Sequence, residues 1–352
     1  MDEAIITAQF EQYIASNTCH PHFFCGDALF VLQEIPDQSM DFCMTSPPYW
    51  KKREYTHGGI GLEDSYTEYI DHLLRIFDQI KRVLKDTGSL WLNMGDTYHD
   101  KTLLALPWRV VIALTDRQGW ILRNDVVWNK IKGTGAAKDR LRNTHEYLFH
   151  FVKQQRGYYY DIDAIRSKPR TARVKNGAVV SATGVTGVRY KRQIELSTAL
   201  TPQEKANALN ALNMTLTQIE CGEIADFRMV LRNQQRTTHS DSTKVSGRAK
   251  ELQQKGFYIL HYHPNGSTPG DVWDIIPEDT HKRGNHYAAY PEDLCKIPIL
   301  ATCPPDGIIL DPFCGTGTTN LVAQQLFRKS IGIDVSPQYI KIAQARCGQY
   351  LL

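Results

Sequence analysis

A tetrapeptide that directly follows an apolar run is the first candidate for chemistry. The segment Ser46-Pro47-Pro48-Tyr49 comes after residues 42–44, whose side chains predict a buried strand. Two successive prolines donate no backbone hydrogen bonds and hold the preceding residues extended, which predicts a rigid loop with available carbonyl oxygens. A hydroxyl, fixed carbonyls and an aromatic ring could grip a planar group that bears an amino substituent. These four residues are therefore candidates for a site that binds such a group.

A second segment, far downstream, has the layout of a cofactor site. An apolar run is followed by Asp311, by a turn that contains Gly315 and Gly317, and then by a predicted helix. Glycines in such a turn allow the backbone to approach a ligand at the helix N-terminus. The next predicted strand ends in Asp334, which could accept hydrogen bonds from ribose hydroxyls. This order of elements predicts a nucleoside cofactor. It is neither a phosphate-binding loop nor the full dinucleotide fingerprint, whose third glycine is replaced by Asn320.

The two segments resemble the catalytic and cofactor motifs of S-adenosylmethionine-dependent DNA methyltransferases that act on exocyclic amino groups. In the β class of these enzymes the catalytic motif precedes the cofactor motif, because their sheet is a circular permutation of the common methyltransferase sheet. This chain has that order, and the resemblance covers residues 22–153 and 271–345. Further matching segments are Gly26-Asp27, Gly95-Asp96, Trp128-Asn129-Lys130, His145-Glu146-Tyr147 and Tyr290-Pro291.

The resemblance implies roles for individual residues at the cofactor. Phe313, Gly315 and Gly317 would lie near the methionine part of S-adenosylmethionine, Asp334 would bind the ribose hydroxyls, and Asp27 would bind the adenine amino group. The full set of expected cofactor-binding residues is Asp27, Asp311, Phe313, Gly315, Thr316, Gly317, Thr318 and Asp334.

The resemblance also implies how the target base is held. Ser46 and the Pro47 carbonyl would accept hydrogen bonds from the target amino group, and Tyr49 would stack on a base that has left the duplex. Such acceptors favour the pyramidal nitrogen that attack requires, and orientation is a large part of the remaining work. Ser46 is not expected to act as a general base. Asp96 and Glu146 stay ambiguous, because either could instead cap or brace a loop.

Three alternatives bear on the substrate. Methylation of a cytosine ring carbon needs a nucleophilic cysteine after a proline, and no cysteine in this chain follows a proline. Ser46, where other members of the resembled family have aspartate, favours cytosine N4 over adenine N6. Adenine N6 stays open, as do methylation of RNA or protein amino groups and a nucleic-acid-binding protein with a decayed cofactor site.

The fold class follows from alternating strands and helices over residues 23–153 and again from 291 onward. They include an amphipathic helix at 65–85, where Ser65 and Glu68 fit a capping box, and a helix at 318–328. This alternation predicts an α/β protein with a mostly parallel sheet covered on both faces. The resemblance implies that this is the Rossmann-like methyltransferase fold in its circularly permuted form. We predict a catalytic half at 1–164, an inserted target-recognition region at 165–270 and a cofactor-binding half at 271–352. Within the insertion, a helix is predicted at 201–221, with Thr201 as its cap and Glu204 at its third position. Loops are predicted at 168–175, 182–192 and 233–250.

The distribution of charge indicates what the insertion contacts. Residues 165–255 contain 16 Lys and Arg against 7 Asp and Glu, a local net charge of +9 in a chain of net charge +3. A concentrated positive charge favours contact with the phosphates of double-stranded DNA. A solvated basic surface is the alternative.

Composition excludes several other classes of protein. The eight cysteines show no repeated metal-ligand spacing, and residues 19–25 are better explained as the approach to a buried strand, so no metal site is expected. We expect no signal peptide and no membrane span. The chain is therefore predicted to be a cytoplasmic modification enzyme, paired with a restriction endonuclease and of unknown oligomeric state.

Overall fold

A computed structural model describes residues 3–52, 59–131, 138–175, 177–232, 247–277 and 290–348. Its helices are α1 (Glu3–Ala15), α2 (Ala28–Gln33), α3 (Tyr66–Val83), α4 (Leu106–Gln118), α5 (Gly187–Leu196), α6 (Pro202–Glu220), α7 (Gly247–Lys255), α8 (Glu292–Thr302), α9 (Thr318–Gln325) and α10 (Pro337–Gly348). Its strands are β1 (His22–Cys25), β2 (Met40–Thr45), β3 (Leu84–Met94), β4 (Tyr98–His99), β5 (Thr102–Leu103), β6 (Ile121–Asn129), β7 (His145–Val152), β8 (Arg173–Lys175), β9 (Ala178–Val180), β10 (Asp226–Leu231), β11 (Phe257–Tyr262), β12 (Val272–Asp274), β13 (Ile308–Asp311) and β14 (Lys329–Asp334).

Packing divides the chain into two compact units. One comprises Met1–Ala164 together with Gly270–Leu352, and the other comprises Ile165–Pro269. Within the described residues, no helix is both long and apolar enough to cross a bilayer.

The first unit is built on an eight-stranded sheet with the order β1-β14-β13-β2-β3-β7-β6-β12. Neighbouring strands in the stretch β1-β14-β13-β2-β3 are all parallel. Strand β7 runs antiparallel to both of its neighbours, and β12 is parallel to β6. The prediction of a mostly parallel α/β sheet is therefore confirmed. Since β1, β14, β13, β2 and β3 run in one direction, the loops after them lie at the same edge of the sheet.

Apolar patterning explains why helices cover this sheet. Helix α3 is amphipathic, and Tyr69, Leu73, Phe77 and Ile80, spaced three or four residues apart, are fully buried. The Ser65 hydroxyl accepts a hydrogen bond from the Glu68 amide at the helix start, as the sequence predicts. Buried side chains form two clusters, one containing α3 and the other containing α8.

The second unit has its own core, which corrects part of the loop prediction. Helix α6 begins with the predicted Thr201–Glu204 capping box. Residues 182–192, however, are not all loop: Thr186 caps α5, and Tyr190 and Ile194 on one face of that helix are buried.

Two further loop predictions in this unit need correction. Residues 173–175 form β8, and residues 247–250 begin α7, whereas 233–246 lie outside the described residues. The antiparallel pair β10–β11 was also not predicted, although Phe227, Met229 and Leu231 alternate and are buried. These short elements are stabilised by contacts between residues that are far apart in the chain, and local sequence patterns do not indicate such contacts.

Candidate active site

The candidate residues come together at the carboxyl ends of adjacent parallel strands. The tetrapeptide follows β2, Asp311 ends β13, Asp334 ends β14, and Asp27 comes two residues after β1. Strand β13 pairs with β2 on one side and with β14 on the other, and Cys25 is directly opposite Asp334 in the ladder. The structure thus brings segments from the two ends of the chain to one edge of the sheet.

The tetrapeptide is held by its neighbours on α3 and in the following loop. The Tyr69 hydroxyl donates to the Pro48 carbonyl at 2.9 Å, so that carbonyl is engaged within the protein. The Trp50 indole N–H donates to the Glu63 carbonyl at 3.0 Å. Pro47 is buried, while Ser46 and Tyr49 are half-buried. The loop therefore has the fixed geometry that its two prolines predict, with the serine and the tyrosine ring accessible.

The Tyr49 hydroxyl lies in a polar network below the loop. It donates to Glu146 Oε2 at 2.9 Å, and Ser46 Oγ donates to it at 3.3 Å. Glu146 in turn forms an ion pair with Lys130. Burial, and next the charge of Glu146, raises the pKa of Tyr49 well above its usual range. Tyr49 therefore keeps its proton and remains a hydrogen-bond donor.

Asp311 connects the two signature loops. Its Oδ1 accepts from Thr45 Oγ1 at 2.7 Å and from the Phe313 amide at 3.2 Å, while its Oδ2 accepts from Thr319 Oγ1 at 2.7 Å and the Tyr290 hydroxyl at 3.1 Å. Only 1% of Asp311 is exposed, and this burial raises the pKa of its carboxyl to about 6 although the hydrogen bonds lower it. Because Thr45 immediately precedes Ser46, one buried carboxylate fixes the spacing between the tetrapeptide and the glycine turn.

The other carboxylates of the predicted set are more accessible. Asp334 is half-buried, and its two oxygens accept from the Gly315 amide at 3.0 Å and the Ser336 amide at 2.8 Å. Asp27 is exposed and caps α2 through the Phe30 amide at 3.1 Å. A carboxylate has about four acceptor positions, so it can accept hydrogen bonds from a ligand's hydroxyl or amino groups as well as from backbone amides.

The rest of the turn contains half-buried positions and fully buried positions. Phe313 and Gly315 are half-buried at the strand ends, and Gly315 has φ +52°. Thr316 and Thr318 are buried and accept hydrogen bonds from Arg346 of α10. Gly317 has φ +75° and no room for a side chain, because a Cβ would lie 2.9 Å from Ala343.

This division tests whether the predicted cofactor fits. Two accessible carboxylates on adjacent strands, an aromatic ring and an open glycine backbone match the hydroxyl and amino donors and the apolar part of a nucleoside with a side chain. The residues present therefore fit S-adenosylmethionine. The buried Asp311, Thr316 and Thr318 stabilise the turn through hydrogen bonds within the protein.

Sequence reasoning missed several partners of the site. Lys130 and Tyr290 lie in segments that match the resembled family but were assigned no role, and Glu146 was left ambiguous between a role at the site and a loop brace. No sequence pattern indicated Arg346. Asp96 is a brace, since its Oδ1 accepts from the amides of Thr97 at 2.8 Å and Leu106 at 3.1 Å. Among the described residues, no three His, Cys, Asp or Glu side chains lie close enough to hold a metal ion.

The fold and the site define the class, which is the S-adenosylmethionine-dependent methyltransferase fold. A family model described as DNA methylase matches residues 40–345. The Type II methyltransferase M.SfiI of Streptomyces fimbriatus is 31% identical over 90% of this chain and 88% of its own length. The Type II methyltransferase M.SmaI of Serratia marcescens is 27% identical over 96% and 94%. The PvuII DNA methyltransferase, described as cytosine-N4-specific, has a similar fold, with a TM-score of 0.56 and 18% identity over 94% of this chain and 86% of that one.

The chain belongs to the DNA methylase family, whose members include N6 and N4 enzymes. It is a DNA methyltransferase of the restriction–modification type, and the family uses S-adenosylmethionine as its methyl donor.

Proposed function

We propose that this protein transfers a methyl group from S-adenosylmethionine to the exocyclic N4 amino group of cytosine at a specific sequence in duplex DNA. The observation that carries the proposal is the half-buried Ser46, which is followed by the buried Pro47 and by the half-buried Pro48 and Tyr49. A neutral hydroxyl acceptor in the place of a carboxylate favours cytosine N4. Adenine N6 is the competing substrate within the same family.

Ser46 and Pro47 hold the target amino group. The lone pair of this nitrogen is delocalised into the base, so the nitrogen is a weak nucleophile. Acceptors at the Ser46 hydroxyl and the Pro47 carbonyl bind its two N–H bonds and favour the pyramidal geometry in which the lone pair is localised. The Pro48 carbonyl is engaged by Tyr69 and stiffens the turn instead.

Tyr49 receives the base outside the duplex. Its hydroxyl is anchored to Glu146 at 2.9 Å, which leaves the half-buried ring to stack on the flipped base.

Asp27, Phe313, Gly315 and Asp334 bind the cofactor, and Asp311, Thr316, Gly317 and Thr318 hold the turn. When bound, S-adenosylmethionine supplies an electrophilic methyl group, so this chain's contribution is mainly orientation. The Asp311–Thr45 hydrogen bond at 2.7 Å sets how far the base acceptors lie from the cofactor turn.

The unit Ile165–Pro269 reads the DNA. Helix α5 exposes Arg189, Lys191 and Arg192. An open groove of about 700 Å³ is lined by Arg189, Arg192 and Gln193, by the apolar Val188 and Leu196, and by Arg232, which is paired with Glu204. Arginine and glutamine are the side chains that form bidentate hydrogen bonds with guanine and adenine edges in the major groove. The positive charge of the unit binds phosphates, and α5 contacts base edges. The enzyme acts on DNA in the cytoplasm and protects it from a cognate restriction endonuclease.

Mass spectrometry of nucleosides from DNA methylated in vitro tests the base. The proposal expects N4-methylcytosine. Finding N6-methyladenine would overturn the base assignment but would still agree with methylation of an amino group. Transfer of a labelled methyl group to RNA or protein, and not to DNA, would overturn the substrate class.

The salt dependence of DNA binding tests the role of α5. Replacing Arg189 or Arg192 with alanine should reduce the slope of log affinity against log salt by about 1 for each lost phosphate contact, or relax the preference at one base pair if the contact is to a base. Lys255→Ala is the control, because Lys255 is already paired with Glu251 at 3.0 Å in the same unit. Equal effects of all three substitutions would remove α5 from the interface.

A further inference from the structure

We infer that Glu146, fixed by Lys130, orients a one-way chain of hydrogen bonds through Tyr49 so that Ser46 presents its lone pairs to the target amino group. The inference rests on the proposed function and adds a positioning residue to it. A serine hydroxyl can either donate or accept, and only the accepting state serves the reaction. The protein therefore needs a device that sets the direction of the Ser46 proton.

The direction of the chain follows from the acceptor at its end. Glu146 forms an ion pair with Lys130, and a carboxylate accepts hydrogen bonds but donates none. Tyr49 must therefore donate its single proton to Glu146 Oε2, at 2.9 Å. Asn93 Oδ1 is also near the Tyr49 hydroxyl, at 3.4 Å, but it is the longer and uncharged alternative.

The Tyr49 oxygen, having committed its proton, acts as an acceptor toward Ser46. Ser46 Oγ lies 3.3 Å from it and donates to it. The remaining lone pairs of Ser46 Oγ then point away from its own proton. These lone pairs are what an incoming amino N–H requires.

Gly95 shows how closely the chain is packed. A Cβ at this position would lie 2.9 Å from Tyr49 Cε2 and 3.0 Å from Glu146 Oε1. Neither side chain can easily move away, because Glu146 is held by Lys130 and Tyr49 by Glu146. The close fit keeps the Tyr49 hydroxyl on one carboxylate oxygen.

Glu146→Gln is the sharpest perturbation, because glutamine has the size and shape of glutamate but carries no charge. The orientation of its amide is then determined by Lys130. The Lys130 ammonium only donates, so it attracts the amide oxygen and turns the amide NH2 toward Tyr49. The NH2 donates to the Tyr49 oxygen, whose own proton then turns to Ser46 Oγ at 3.3 Å or to Asn93 Oδ1 at 3.4 Å. Whenever it turns to Ser46, the chain reverses. We expect kcat to fall roughly 10- to 100-fold, less than the roughly 10²–10³ for complete loss of a preorganised contact.

Two further variants distinguish this role from simple bracing. Adding Lys130→Met to Glu146→Gln frees the amide to turn its oxygen toward Tyr49, so kcat should recover at least severalfold. In a Ser46→Ala background, Glu146→Gln should change kcat little, because no Ser46 hydroxyl remains to be oriented. Tyr49→Phe keeps the stacking ring and should show the same non-additivity with Ser46→Ala.

The assay is steady-state methyl transfer to duplex DNA, which gives kcat and the KM for DNA, with cofactor affinity measured on the same proteins. Asp71→Asn is the matched control, since it removes the charge of an exposed ion pair with Arg117 elsewhere in the same unit and should leave kcat unchanged. Additive losses in the Ser46→Ala background, or no recovery with Lys130→Met, would overturn the inference. If the wild type does not methylate an amino group in DNA, the proposed function itself fails, which is a separate result.

Discussion

Asp311→Asn tests whether one buried carboxyl connects the two halves of the site. The carboxyl is 1% exposed, and burial raises its pKa from 3.8 to about 6. A group whose pKa is higher in the folded state contributes stability that is complete below its unfolded value and is lost as the pH rises through its folded value. A shift of about two units corresponds to about 3 kcal/mol of unfolding free energy, lost between about pH 4 and pH 6. Asparagine does not titrate, so the variant should lack this loss.

Urea unfolding at several pH values, followed by tryptophan fluorescence, measures the effect. All six tryptophans lie in the unit that contains Asp311, so the signal reports that unit. The free energy of the variant minus that of the wild type should rise by about 2 kcal/mol from pH 4 to pH 6.5. Asp71→Asn, at an exposed ion pair, is the control and should run parallel to the wild type. A parallel course for Asp311→Asn as well would refute the reasoning.

Three further predictions concern the cofactor, the catalytic network and acid stability. Asp334→Ala should weaken S-adenosylmethionine binding by about 1.5–3 kcal/mol through loss of a charged acceptor, and unchanged affinity by calorimetry would remove Asp334 from the cofactor site. Gly95→Ala should lower kcat at least severalfold, because its Cβ would meet Tyr49 at 2.9 Å, whereas Gly270→Ala, with no atom within 4 Å, should not; equal rates would contradict the packing. Burial lowers the pKa of His150 from 6.5 to about 3, so its contribution to stability is complete above pH 6.5 and is lost as the pH falls toward 3. His150→Phe should therefore lose less stability than the wild type as the pH falls. An identical dependence of the unfolding free energy on pH, measured by urea titration, would contradict this.

Local patterns predicted the elements that dominate the sheet unit. The apolar stripe and Ser65 cap of α3 and the apolar runs at β2, β13 and β14 were predicted from sequence and are confirmed. Helix α9 was predicted to reach residue 328 but ends at Gln325, where the chain turns with Phe327 at φ +58°. Periodicity fixes where an element begins better than where it ends.

Contacts between distant residues could not be predicted. Thr45 and Asp311 are 266 positions apart, and Tyr49 and Glu146 are 97 apart. Each hydrogen bond exists because neighbouring strands end side by side, and strand order is not encoded in local pattern. Helix α5 was missed for a related reason: Val188 and Leu196 are exposed although they are apolar, so no apolar stripe marks the buried face in the sequence. Its buried Tyr190 and Ile194 pack against partners elsewhere in the second unit.

The most direct test of the central claim is the rate of methyl transfer by Ser46→Ala. The substitution removes one acceptor for the target amino group and leaves Pro47, Pro48 and Tyr49 to shape the loop. With labelled S-adenosylmethionine and duplex DNA in a single turnover, the rate should fall roughly 10²–10³-fold. Cofactor affinity should hardly change, because Ser46 is assigned to the base. Full activity of Ser46→Ala on the same DNA would contradict the proposed mechanism.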